Sequence, residues 1–175
     1  MSFELKPEIR KALRKIRFVD RFEEISERSR KTASARINKE NRFEASIEQA
    51  TNIIESLGYE AIYNKKEKFL KVGLIESLPT YRIWFNMDLR FGIAELIWVV
   101  YYNGEVRLGS PWDVYPELLI GPEKKIKLPV YSSYSELEQI LKAAFELYEE
   151  FKQAIIEEYQ PIQTVLTGET PIPTP

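Results

Sequence analysis

Asn103-Gly104 stands between two strand-like runs, Ile93 to Tyr102 and Glu105 to Leu108. This dipeptide is the commonest two-residue hairpin turn, because both central positions need a positive φ that Asn and Gly tolerate best. It commits the flanking runs to antiparallel pairing. Tyr81 to Arg90, joined through Phe91-Gly92, supplies a third run, so Thr80 to Leu108 reads as a three-strand antiparallel meander. The turn predicts Tyr101 opposite Val106 and Val99 opposite Leu108 on one side of the sheet. Trp98, Val100, Tyr102, Glu105 and Arg107 then fall on the other side. The register of the first two runs stays open. A two- or four-residue turn opposes Phe85 to Trp98, and a three-residue turn opposes Phe85 to Ile97.

Helical periodicity flanks the meander. Leu5, Ile9, Ala12, Leu13, Ile16, Val19, Phe22 and Ile25 recur at spacings of three and four, which predicts one helix over 5–30 with Pro7 in its first turn. Residues 28–42 are almost without apolar side chains and read as a polar connection. Asn41 with Glu44 predicts a capping box for a second helix, whose stripe is Phe43, Ile47, Ala50, Ile54 and Leu57, with Gly58 as its stop. Tyr59–Tyr63 and Phe69–Ile75 suggest a hairpin with a charged tip. Beyond Leu108, Pro111 takes the chain out of the ladder. Tyr115 to Ile120 and Ile126 to Tyr131 read as short, weak strands. Ser133 with Glu136 caps a long C-terminal helix, striped by Leu137, Leu141, Ala144, Tyr148, Phe151 and Ile155 and ended by Pro161.

The fold class that follows is α+β: an antiparallel sheet of five to seven strands, a meander, packed against α-helices. The expected organisation is a basic N-terminal helix and polar connection over 1–42, a single α+β domain over 43–160, and a disordered tail over 161–175, which holds four Pro. The charge is unevenly spread. Residues 1–42 hold 13 Lys/Arg against 7 Asp/Glu, and the remainder holds 12 against 20.

Function is bounded mainly by what the chain lacks. It contains no histidine and no cysteine. Serine–histidine triads, thiolate nucleophiles, histidine bases and Cys/His zinc sites are thereby excluded from its own residues. Its seven glycines are scattered singly, so no phosphate-cradling loop is present. No catalytic residue, metal or cofactor is assigned, and the chain is not expected to be an enzyme. Its N-terminus runs straight into charged helix and its longest apolar run, 96–102, is too short to span a bilayer. A cytoplasmic location without membrane association is the expectation.

Three surfaces remain as candidates. Arg82, Trp84, Asn86, Asp88 and Arg90 alternate with the apolar set of their strand. With Trp98, Tyr102 and Arg107 nearby they form an Arg/aromatic face of the kind that makes protein interfaces. Either the first helix covers this face, which is the favoured placement, or it projects and leaves the face free, in which case its own stripe could pair with a second copy. The acidic surface of residues 136–158 is a further route to a protein partner. The alternative is nucleic-acid binding through Arg10, Lys11, Arg14, Lys15 and Arg17, although interleaved acids favour a solvated helix face pairing with the acidic body. A third reading, a metal-dependent nuclease, takes Asp113, Glu123 and Lys125 as an acid–acid–lysine set. A small cysteine-free α+β chain with an acidic body broadly resembles bacterial immunity proteins and secretion chaperones. That resemblance is one of shape and composition, covers no motif, and implies a protein-binding module.

Overall fold

The computed structural model describes residues 4–33, 43–77 and 80–160. Their order is α1 (Pro7–Lys15), α2 (Phe18–Ala33), α3 (Ile47–Ser56), β1 (Ala61–Asn64), β2 (Phe69–Ser77), β3 (Tyr81–Asp88), β4 (Glu95–Tyr102), β5 (Glu105–Leu108), α4 (Tyr115–Leu119) and α5 (Tyr134–Tyr159). The fold is α+β. The five strands form one antiparallel sheet in the order β1-β2-β3-β4-β5, and α5 is the long C-terminal helix. The expected tail over 161–175 and the Asn41 cap lie outside the described residues.

Local chemistry explains the hairpin. Asn103 and Gly104 both take positive φ, 51° and 79°, and the turn pairs Tyr102 with Glu105 and Tyr101 with Val106. The ladder then slips by one residue. Leu108 lies opposite Val100, not Val99, because Arg107 is an extra residue on β5. Such a bulge bends its strand and re-aims a side chain. It turns Leu108 from the side of Val99 to the side of Val100, where it is buried, while Arg107 stays on the helix side and meets Glu8 of α1. Between β3 and β4 the even register holds, with Phe85 opposite Trp98.

That register decides which side is core. Leu70 and Val72 of β2, Ile83, Phe85 and Met87 of β3, and Leu96, Trp98 and Val100 of β4 are all buried on one side. Against them pack Leu13 of α1, Phe18 and Phe22 of α2, and Leu141, Tyr148 and Phe151 of α5, in a single cluster. The ring of Trp98 stacks on Phe151 at 4.1 Å and meets Trp112 edge-on at 4.9 Å.

Four local expectations need correction. The helix expected over 5–30 is two helices. Arg17 takes φ 56° and separates α1 from α2, while the three-and-four spacing runs unbroken through it. Residues 28–33 belong to α2, and its serines are polar for a structural reason. Ser29 accepts a hydrogen bond from the Val130 amide at 3.1 Å, and Arg30 donates to the Leu128 carbonyl at 2.8 Å. They satisfy the backbone of the 126–131 segment, which is extended but makes only a bridge from Val130 to Ile93, since Pro129 lacks a donor. Helix α3 begins later than expected, at Ile47, with Ser46 accepting from the Gln49 amide. Tyr115–Leu119 is helix, not strand, because Pro116 sits where its fixed φ suits a first turn.

Gly73 supplies a prediction. It lies at a register slip in β2 with φ 63°, and its carbonyl accepts from the Tyr148 hydroxyl at 2.8 Å. A Cβ there would stand 3.1 Å from the Tyr148 ring and 3.2 Å from Tyr59. Gly73→Ala is expected to cost about 2 kcal/mol through the left-handed backbone and the close contacts. Urea unfolding followed by circular dichroism measures it, and an unchanged midpoint would contradict this geometry.

Candidate binding face

Side chains alternate across a strand, so the register that buries Phe85 and Trp98 sends their neighbours the other way. This second face is built in rows. Glu76, Arg82, Tyr101 and Val106 form one row, and Trp84 with Val99 the next. Ile62, Lys71, Asn86 and Ile97 form the third, and Asp88 with Glu95 the last. Among the described residues no helix packs on this face, and none of its apolar members joins the core cluster.

The centre of the face is aromatic. Trp84 lies parallel to Tyr101, with ring centroids 5.5 Å apart. The Lys71 ammonium stands 4.3 Å from the Trp84 ring centre and the Arg82 guanidinium 5.3 Å. Trp84 donates its indole hydrogen to Asn86 at 3.0 Å, which fixes the ring. Lys71 is held below the usual lysine range by burial and by the positive charge of Arg82. Arg82 meets Glu76 at 3.3 Å in an ion pair without hydrogen-bond alignment.

The far end of the face is acidic. Asp88 and Glu95 are directly opposite each other, an arrangement that repels when both are ionised. Burial raises the Asp88 carboxyl, but Arg90 overrides this with a two-pronged contact at 2.9 and 2.7 Å and holds it low. Glu95 moves the other way. Burial and then the carboxylates of Asp88 and Asp113 push its carboxyl up.

The residues singled out in the sequence therefore separate. Arg82 and Trp84 stand on the open face. Trp98 is fully buried in the core, Tyr102 stacks on Tyr159 at 4.1 Å, and Arg107 binds Glu8, all on the helix side. The placement of Trp98, Tyr102 and Arg107 beside Arg82 is corrected by the even register, which puts them on the Phe85 side. Lys71, Ile97, Val99 and Tyr101 take their place. Alternation from the Asn-Gly turn marks Val99 and Tyr101, whereas Lys71 needs the β2–β3 register. The first helices cover the opposite face.

The basic arm is largely engaged. Lys11 pairs with Glu158 at 3.2 Å, Lys15 with Glu157 at 2.6 Å, and Arg17 with Asp20 at 3.1 Å. Arg10 and Arg14 have no carboxylate within ion-pair distance among the described residues. The same contacts occupy the acidic surface of α5, and Arg21 adds an ion pair to Glu150 at 2.5 Å. The nuclease-like set does not assemble. Lys125 pairs with Glu117, Asp113 sits near Glu95, and no group of three acids fit for a metal ion occurs among the described residues. A cleft of about 430 Å³ separates α2 from α5, but its Arg21 and Arg28 are bound to Glu150 and Glu24. No described helix is long and apolar enough to cross a membrane. Comparison with protein-family models, with curated proteins and with solved structures gives no match.

Proposed function

We propose that this chain is a non-catalytic protein-binding module whose docking surface is the open face of the sheet. One observation carries the reading: a half-buried cluster of Trp84, Tyr101, Lys71 and Arg82, backed by Ile97 and Val99, with no described helix over it. Aromatic and arginine side chains dominate binding energy at protein interfaces. Strands hold these rings in place before docking, which lowers the entropy lost on association. The acidic surface of α5 fits the role less well, since Glu150, Glu157 and Glu158 already have cationic partners. An immunity- or chaperone-like role is compatible with a rigid face of this kind.

The test is a photo-crosslinker at Ile97, in the middle of the face, irradiated in host cells. A discrete protein adduct is expected there, and none from the same probe at exposed Ile120. Trp84→Glu should remove the adduct. Absence of any protein adduct at position 97 would count against the reading.

A further inference from the structure

The open face is polar along its strands. Arg82 and Tyr101 mark one end, and Asp88 and Glu95 mark the other. The middle is Trp84 and Val99 on one row against Asn86 and Ile97 on the next. Two copies placed face to face about a two-fold axis lying in the interface and crossing the strands reverse the strand direction while keeping each strand over its own copy. Arg82 then lies over the partner's Asp88, and Tyr101 over the partner's Glu95. Val99 lies over the partner's Ile97, and Trp84 over the partner's Asn86. Each contact occurs twice, as an isologous interface demands.

We propose that the partner of this face is a second copy of the chain, packed sheet on sheet with its strands reversed. The proposal rests on the reading that the open face docks protein. Three features favour a second copy. First, Arg82 pairs with Glu76 and Asp88 with Arg90 within each copy, which leaves Glu95 as the charge at the face's ends without an ion pair among the described residues. The Arg82 end is brought to the Asp88/Glu95 end only when the strands run oppositely. The other in-plane axis, parallel to the strands, sets Arg82 over Arg82 and Asp88 over Asp88. Second, Glu95 makes no hydrogen bond or ion pair among the described residues, and it is crowded by Asp88 and Asp113. Arg82 of the other copy, over Asp88 and one strand from Glu95, brings a cation to that crowded pair. Third, the area suffices. Strands β3 and β4 have eight residues, β2 nine, and β1 and β5 four each. At about 3.3 Å rise and about 4.8 Å spacing they cover roughly 520 Å² per copy, or about 1,000 Å² in all, the lower bound of a specific interface. Face-to-face sheets pack about 10 Å apart, which suits side chains of this size.

Sedimentation and light scattering on the full chain test the proposal. The wild type is expected at twice the 20.6 kDa chain mass. Arg82→Glu, which sets like charge against Asp88 and Glu95, is expected to give monomer. Glu95→Lys sets like charge against Arg82 and is expected to do the same. Glu95→Lys also removes the repulsion within each copy, so its circular-dichroism spectrum should stay that of the wild type, which separates lost dimer from lost fold. The double variant Arg82→Glu/Glu95→Lys restores opposite charges and should dimerise again. A monomeric wild type, single variants that stay dimeric, or a double variant that stays monomeric would each overturn the proposal. A monomeric wild type that still gives the discrete adduct at position 97 removes the second copy alone. One that gives neither dimer nor adduct removes the docking face as well.

Discussion

Trp98→Ala is expected to destabilise the fold by about 4 kcal/mol, the range for emptying a large aromatic site in a packed core. Trp98 is fully buried. Its ring lies 4.1 Å from Phe151, 4.9 Å from Trp112, 5.5 Å from Phe18 and 5.9 Å from Phe85. It joins β4 to α2, to α5 and to the turn before α4, so alanine leaves a void at their junction. A domain of this size has roughly 5–15 kcal/mol in total. The loss should lower the thermal midpoint by about 10 °C. Trp98→Phe is the control. It keeps a ring and removes an indole nitrogen that is buried without a hydrogen-bond partner, so its cost should be well under half. Urea unfolding measures both. If alanine and phenylalanine cost the same, the ring is not the junction described.

Arg107→Ala is expected to cost about 2 kcal/mol at pH 7 and much less in acid. Arg107 grips Glu8 through Nε at 2.7 Å and a terminal nitrogen at 2.9 Å, while the Tyr159 hydroxyl donates to the same carboxylate at 2.8 Å. The three residues tie α1, β5 and α5 together. Breaking a fully buried pair costs about 3–5 kcal/mol. The Arg107 and Glu8 side chains are 20% and 16% exposed, so solvent screening lowers the figure here. Burial raises the Glu8 carboxyl, but hydrogen bonds from Arg107 and Tyr159 and the charge of Arg107 together bring it below its ordinary value of 4.5. A carboxyl depressed in the folded state stabilises above its unfolded pKa, and that contribution fades as pH falls through the folded value. The gap between wild type and Arg107→Ala should therefore be full above about pH 5.5 and shrink from pH 4.5 downward. Urea midpoints of the two proteins at pH 7, 5, 4 and 3 give the gap directly. A gap that is constant across that series would remove Glu8 as its source.

Much of the architecture was legible because its causes are local. Asn103-Gly104 fixed a hairpin through two positive φ values, and Ser133 with Glu136 located the start of α5 to the residue. Gly58 ended α3 as read. The misread elements share a different cause. Arg17 breaks a helix whose apolar spacing never falters, since the break serves the packing of α1 and α2 against α5. Tyr115–Leu119 and Ile126–Tyr131 are short apolar runs, where period cannot separate strand from helix or coil. The candidate face was legible only in half, as Arg82 and Trp84. Trp98, Tyr102 and Arg107 were assigned to it because a single strand's alternation does not say how the next strand is aligned.

Turn dihedrals, helix caps and apolar period act within a few residues. The amino-acid order by itself therefore determined an antiparallel meander, a long C-terminal helix and an α+β fold. Strand register, the bulge at Arg107 and the break at Arg17 depend on contacts between residues far apart in the chain. Only the tertiary structure could decide that every described helix lies on the Phe85 side and that Trp84, Tyr101, Lys71 and Arg82 face outward together. A one-residue slip of β4 would have exchanged its two faces, and Glu95 is the one charged residue in β4 that opposes it.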